Sequence, residues 1–177
     1  MKSGNVVWLW GMSGSGKTSL GFKLAQEIGY VFLDSDSVRR ILNVPPDFSM
    51  SGRLTYQEAL RHHVSGLQQR GINIVVASIT PLQKMRDLNR ELFDNYYEVY
   101  LQCDISVLIK RDPKGFYQRA FHGDISEFTG ITSPFELPTY ENTSCVPDIT
   151  LNTGDLDFDS SYSILLHAVK NRFVENQ

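Results

Sequence analysis

A chain of 177 residues with 41% hydrophobic and 21% charged side chains has the composition of one folded domain, residues 1–177, and is not that of a disordered one. Its net charge of −3 offers no broad basic surface, which excludes nucleic acid and an anionic membrane as expected partners and leaves any ligand-binding cation to act locally. No apolar run approaches the roughly 20 residues needed to span a bilayer, and one Lys followed by strand residues at the N-terminus lacks a cleavage pattern, so the expected location is cytoplasmic.

The apolar run Val6-Val7-Trp8-Leu9-Trp10 predicts a buried strand, residues 11–18 a glycine loop, and residues 20–28 a helix. A triphosphate needs several backbone N–H groups aimed at one point; the glycines clear that approach, and the helix N-terminus adds its positive dipole end. Gly11, Ser13, Gly14, Ser15, Gly16, Lys17, Thr18 and Ser19 are therefore the candidate ATP-binding residues. Lys17 is expected to reach the β- and γ-phosphates and act in catalysis, and the Thr18 hydroxyl to hold Mg²⁺. A glycine turn that merely links two elements is the plainer alternative, but the Lys-Thr ending and both flanks agree with a phosphate loop.

Gly29 ends the helix, and Tyr30-Val31-Phe32-Leu33 predicts a strand that delivers Asp34-Ser35-Asp36 to the ligand end of an open sheet. Two carboxylates there make Asp34 a candidate general base or Mg²⁺ partner, while Ser35-Asp36 are expected to cap a helix over 37–42, with Asp36 the more structural of the pair. Pro45-Pro46-Asp47 breaks that helix, and residues 48–53 are expected to form a loop. Tyr56, Ala59, Leu60, Val64 and Leu67 recur at helical spacing as a core-facing stripe. Residues 72–77 predict a buried strand that passes into Ser78-Ile79-Thr80-Pro81, and Leu82, Met85, Leu88 and Leu92 a short amphipathic helix. A strand over 97–101, a helix from Asp104 to about Arg111-Asp112, a strand over 148–151 and a helix over 158–173 complete the regular elements. Residues 113–138 show no sustained period and are expected to form a lid. Cys103 and Cys145 are far apart, outside metal-ligand spacing, and expected to be reduced; the adjacent His62 and His63 would point to different helix faces. Alternating strands and helices predict a three-layer α/β domain, a P-loop NTPase with a mostly parallel five-stranded sheet.

Taken together, several residue groups resemble the adenylylsulfate kinase family, small P-loop kinases that transfer the γ-phosphate of ATP to the 3′-hydroxyl of adenylyl sulfate. They are residues 11–18; 33–39 with Leu42-Asn43; Phe48-Ser49 with Arg53; Ile79-Thr80-Pro81; residues 111–117; Phe128-Thr129-Gly130-Ile131 with residues 133–136 and Pro138; and Asn152-Thr153-Gly154. The resemblance implies that Phe48 and Phe128 sandwich the acceptor base, that Arg39, Asn43 and Arg53 hold its anionic linkage and sugar, and that Asp34 stands by the 3′-hydroxyl. Ile79, with Thr80 beside it, would lend its backbone to the base edge, Asp36 would join the acceptor site, and Arg111 and Lys114 would serve ATP. It also implies a homodimer. The chain departs from the family pattern at Ser35, where Gly is usual, at Ser126-Glu127, where a Lys precedes the Phe-Thr-Gly motif, at Gly52 for Asp and at Gln83 for Arg. A related kinase acting on another nucleotide, such as cytidine diphosphoramidate, therefore stays open as an alternative. A nucleotide-binding regulatory module without catalysis is a third, against which Lys17, Thr18 and Asp34 all argue.

Overall fold

In the computed structural model, which describes residues 2–138 and 146–173, five parallel strands lie in the order β2-β3-β1-β4-β5. They are β1 (Asn5–Trp10), β2 (Val31–Asp34), β3 (Ile74–Ser78), β4 (Asn95–Gln102) and β5 (Ile149–Asn152). The helices are α1 (Lys17–Ile28), α2 (Ser35–Ile41), α3 (Met50–Gln69), α4 (Gln83–Leu92), α5 (Ile105–Arg111), α6 (Phe116–Phe121) and α7 (Phe158–Phe173). Cys145 lies outside the described residues.

The continuous apolar run of β1 is explained by its central place, where alternate side chains enter two cores. Val7 and Leu9 pack with Leu20 and Leu24 of α1 and Leu165 and Val169 of α7, whereas Val6, Trp8 and Trp10 pack with Leu60 and Val64 of α3. Both sheet faces are thus covered, as the alternation of elements predicts. One carboxylate interrupts the second core: Glu98 of β4 is fully buried, lies 2.8 Å from Arg90 of α4, and is pushed up to about 7 by desolvation against the pull of Arg90 and Arg86. Removing either partner would leave a buried charge uncompensated.

Three local expectations are corrected. The second helix begins at Ser35, and its cap is Asp34, whose carboxylate accepts from the Asp36 amide at 3.0 Å. Capping therefore falls to Asp34, and Asp36 is exposed within the first turn. The loop expected over 48–53 is shorter, because Ser49 caps α3 by accepting from the Gly52 amide and the helix already runs from Met50. The stretch 113–138 contains α6, whose first amides are satisfied by the Asp112 carboxylate, bonded to the amides of Tyr117 and Gln118 at 3.2 and 3.1 Å.

Candidate active site

The carboxyl ends of β1, β2 and β3 open onto a cleft of about 930 Å³. At one end the chain turns from β1 into α1 through the glycine loop. Gly16 takes the N-cap position of α1 in the left-handed region, φ 95°, with no side-chain cap, so the helix dipole end faces the cleft unblocked. The loop is held from behind: the Tyr117 hydroxyl donates to the Ser13 carbonyl at 2.9 Å, and the Thr153 hydroxyl to the Ser15 carbonyl at 3.0 Å. Gly130 lies against the loop as well, since a Cβ there would fall on the Met12 methyl. Lys17 donates to the Met12 carbonyl at 2.6 Å. Burial of its amine lowers its pKa from 10.5 to about 8, a shift opposed by Asp36 and Asp34 and reinforced by Lys114.

Asp34 stands at the junction between the loop and the rest of the cleft. Besides capping α2, it accepts from the Thr18 hydroxyl at 2.8 Å. A hydroxyl and a carboxylate brought together beside a phosphate loop are the hard oxygen donors that suit Mg²⁺, which takes one or two protein oxygens and relies on phosphate and water for the rest. Asp36 pairs with Lys114 at 3.3 Å, linking α2 to the segment after α5. Both partners are exposed, so the pair contributes little to stability.

The far end of the cleft is made by side chains. Phe48 is 54% exposed there, and the Arg39 guanidinium lies 3.7 Å from the Tyr56 ring centroid and 5.6 Å from that of Phe48. Arg39 also donates to the Pro45 carbonyl at 3.1 Å, and the Tyr56 hydroxyl donates to the Ser35 carbonyl. Desolvation pushes the Tyr56 hydroxyl pKa up, keeping it a donor. Arg53 donates to the Phe48 carbonyl at 2.7 Å and, through its two terminal nitrogens, to the Thr129 hydroxyl and the Glu127 carbonyl. It thereby ties the start of α3 to the lid.

Ser13, Gly14, Gly16, Lys17, Thr18, Ser19, Asp34, Asp36, Arg39, Phe48, Arg53, Ile79 and Lys114 all line this one cleft. Six other candidates lie elsewhere. Gly11 is buried beneath the loop, where a Cβ would meet the Leu101 carbonyl. Ser15 and Arg111 border a smaller cavity of about 150 Å³ on the other side of the loop, Arg111 donating to the Thr153 carbonyl at 2.5 Å. The Thr80 side chain is turned into the core, because the buried Trp8 indole N–H needs an acceptor and finds Thr80 Oγ1 at 2.9 Å. Asn43 is exposed in the turn after α2, with φ 51°, and is outside the cleft lining. Phe128 is 8% exposed, packed edge-on against Tyr117 at 4.9 Å and clustered with Leu108 and Ala120, so the facing pair with Phe48 is not formed in this structure. Conversely, Phe22, Phe32, Tyr56, Gln57 and Ser78 line the cleft unforeseen. Ser78, the last residue of β3, carried a signal in its place at the ligand end of a strand; Tyr56 read only as core.

A polyphosphate would find backbone amides and an ammonium at one end, a planar anionic group would find rings and guanidinium forks at the other, and a carboxylate lies where they meet. This division defines a P-loop phosphotransferase with an alcohol group as acceptor. Residues 3–146 match the model of the adenylylsulphate kinase family, and the chain belongs to that family. The adenylyl-sulfate kinase of Bacillus pumilus is 36% identical over 178 residues, covering 97% of this chain and 87% of the relative. A probable adenylyl-sulfate kinase of Aeropyrum pernix is 32% identical, covering 93% of this chain and 94% of its own. Among solved structures, the APS kinase of Mycobacterium tuberculosis in complex with AMPPNP and APS is 32% identical and superposes with a TM-score of 0.84, covering 96% of this chain and 99% of that one. Among the described residues no helix is long and apolar enough to cross a membrane.

Proposed function

We propose that the protein transfers the γ-phosphate of ATP to the ribose 3′-hydroxyl of adenylyl sulfate. The observation that carries this reading is the Thr18–Asp34 hydrogen bond, which holds a carboxylate at the lip of the phosphate loop, where an acceptor hydroxyl must meet the phosphate. Phosphoryl transfer needs little covalent help, so positioning and charge neutralisation supply most of the rate. In this reading the loop amides and Lys17 hold the triphosphate, and Asp34 orients the acceptor hydroxyl and takes its proton. Thr18 and Asp34 would hold Mg²⁺, which when bound neutralises phosphate charge. Arg111 would flank the ATP base from the smaller cavity, and Lys114 would exchange Asp36 for the phosphates. Phe48, Ile79, Arg39 and Arg53 would take the acceptor's base and anionic linkage. By the family resemblance the working form would be a homodimer, and we take its location to be the cytoplasm.

A second reading, the same reaction on another nucleotide such as cytidine diphosphoramidate, is favoured by one observation: Arg53 is engaged by Glu127 and Thr129 of the lid, at the point where the family's lysine is missing. An acceptor panel of adenylyl sulfate, cytidine diphosphoramidate and plain mononucleotides, with ATP and Mg²⁺, tests both. Efficient turnover of adenylyl sulfate is expected; turnover of the cytidine compound alone would transfer the assignment to the second reading.

A further inference from the structure

The cleft contains one amide that the proposed reaction does not use. Gln57, in the second turn of α3, is 6% exposed and lines the cleft together with Phe48, Tyr56 and Ile79. Its Nε2 donates to the Ser78 hydroxyl at 2.9 Å, and Ser78, 1% exposed, ends β3 one residue before Ile79. Its carbonyl oxygen Oε1 has no hydrogen-bond partner among the described residues. A glutamine carries two donors and one carbonyl acceptor. Anchored by its nitrogen, it keeps a buried acceptor unsatisfied, and buried acceptors of this kind are seldom left so. We propose that Gln57 is a specificity-determining residue: its Oε1 accepts an N–H from the edge of the acceptor base, selecting bases with an exocyclic amino group over their 6-oxo or 4-oxo counterparts. The inference rests on the reading that this end of the cleft takes the acceptor nucleotide. A site that pairs a buried polar atom with a ligand N–H discriminates against the analogue lacking it, because the atom is then left unpaired.

The test is calorimetric titration of the ADP-saturated protein with two pairs of nucleotides that differ at that edge, AMP against IMP and CMP against UMP, the oxo member of each also carrying a proton on the neighbouring ring nitrogen. The amino-bearing member of at least one pair is expected to bind about ten-fold more tightly, and Gln57→Met to abolish the preference while leaving the ADP affinity unchanged. Equal affinities within both pairs in the unaltered protein would overturn the proposal without recourse to any variant. So would a preference for the oxo members, whether the amide then presents its NH₂ to the carbonyl or its Oε1 takes the neighbouring ring N–H, or a preference that survives in a Gln57→Met protein. Failure to phosphorylate adenylyl sulfate, with the amino preference intact, would count against the proposed reaction and leave this inference standing.

Discussion

At the phosphate end, the cleft is lined by the glycine loop and the start of the helix it opens, residues 13, 14 and 16–19; at the acceptor end, it is lined by side chains of separated segments, among them Arg39, Phe48, Arg53, Gln57 and Ser78. The loop is braced from behind by hydroxyls of Tyr117 and Thr153 that bond its carbonyls. The acceptor end depends on contacts that cross between elements: Arg39 stacked on Tyr56, and Arg53 reaching the lid. A substitution in the loop therefore strikes the shared chemistry. One at the acceptor end shifts which molecule is accepted.

The largest expected effect belongs to the loop. Lys17→Ala removes the ammonium that meets the charged transition state, and kcat/KM should fall by about 10²–10³-fold while the melting temperature holds or rises, since the cost of burying that ammonium goes with it. Steady-state kinetics beside a thermal melt checks both, and near-normal turnover would remove the phosphate-loop mechanism. A somewhat smaller effect is expected at the junction, where one side chain has two duties. Asp34→Asn keeps the cap, since Asn and Asp serve almost equally at that position, but it loses the proton acceptor. kcat should fall at least ~100-fold with stability nearly unchanged. A loss confined to KM would make Asp34 a binding residue, and a large drop in melting temperature would show that the cap dominates.

The same contrast explains what could be read from the sequence. The loop is contiguous, so its spacing, its lysine and its flanking strand and helix stand side by side in the chain, and residues 158–173 form the final helix over their expected length. The acceptor end is assembled only by folding. Tyr56 recurs with Leu60 and Val64 at helical spacing and is indeed buried among them, yet it also lines the cleft, a double role that periodicity does not encode. Thr80 lies in a family motif, but the partner that claims its hydroxyl is Trp8, 72 positions away. Helix α6 is six residues long, too short for a period to emerge, and its start depends on a carboxylate outside it, that of Asp112.

The smallest of the expected effects follows from the state of Lys17 in the ligand-free protein. Burial lowers its pKa from 10.5 to about 8, so between those values the unfolded chain holds a proton that the folded chain has released. As far as this group is concerned, the free protein therefore gains stability as pH rises through that window, and below pH 8 it bears the whole cost of burying the ammonium. ATP binding has the opposite sign. The phosphates favour the charged amine, so above pH 8 binding must take up a proton, and the affinity should weaken by roughly eight- to ten-fold between pH 7.5 and pH 9 for one group titrating near 8. Calorimetry in buffers of different ionisation enthalpy would count that proton directly. Lys17→Arg is the control, because a guanidinium stays charged throughout the range and its ATP affinity should be flat with pH. A pH-independent affinity in the unaltered protein would show that Lys17 keeps its charge without ATP, and the phosphate end would then be charged in advance of its ligand as well as shaped for it.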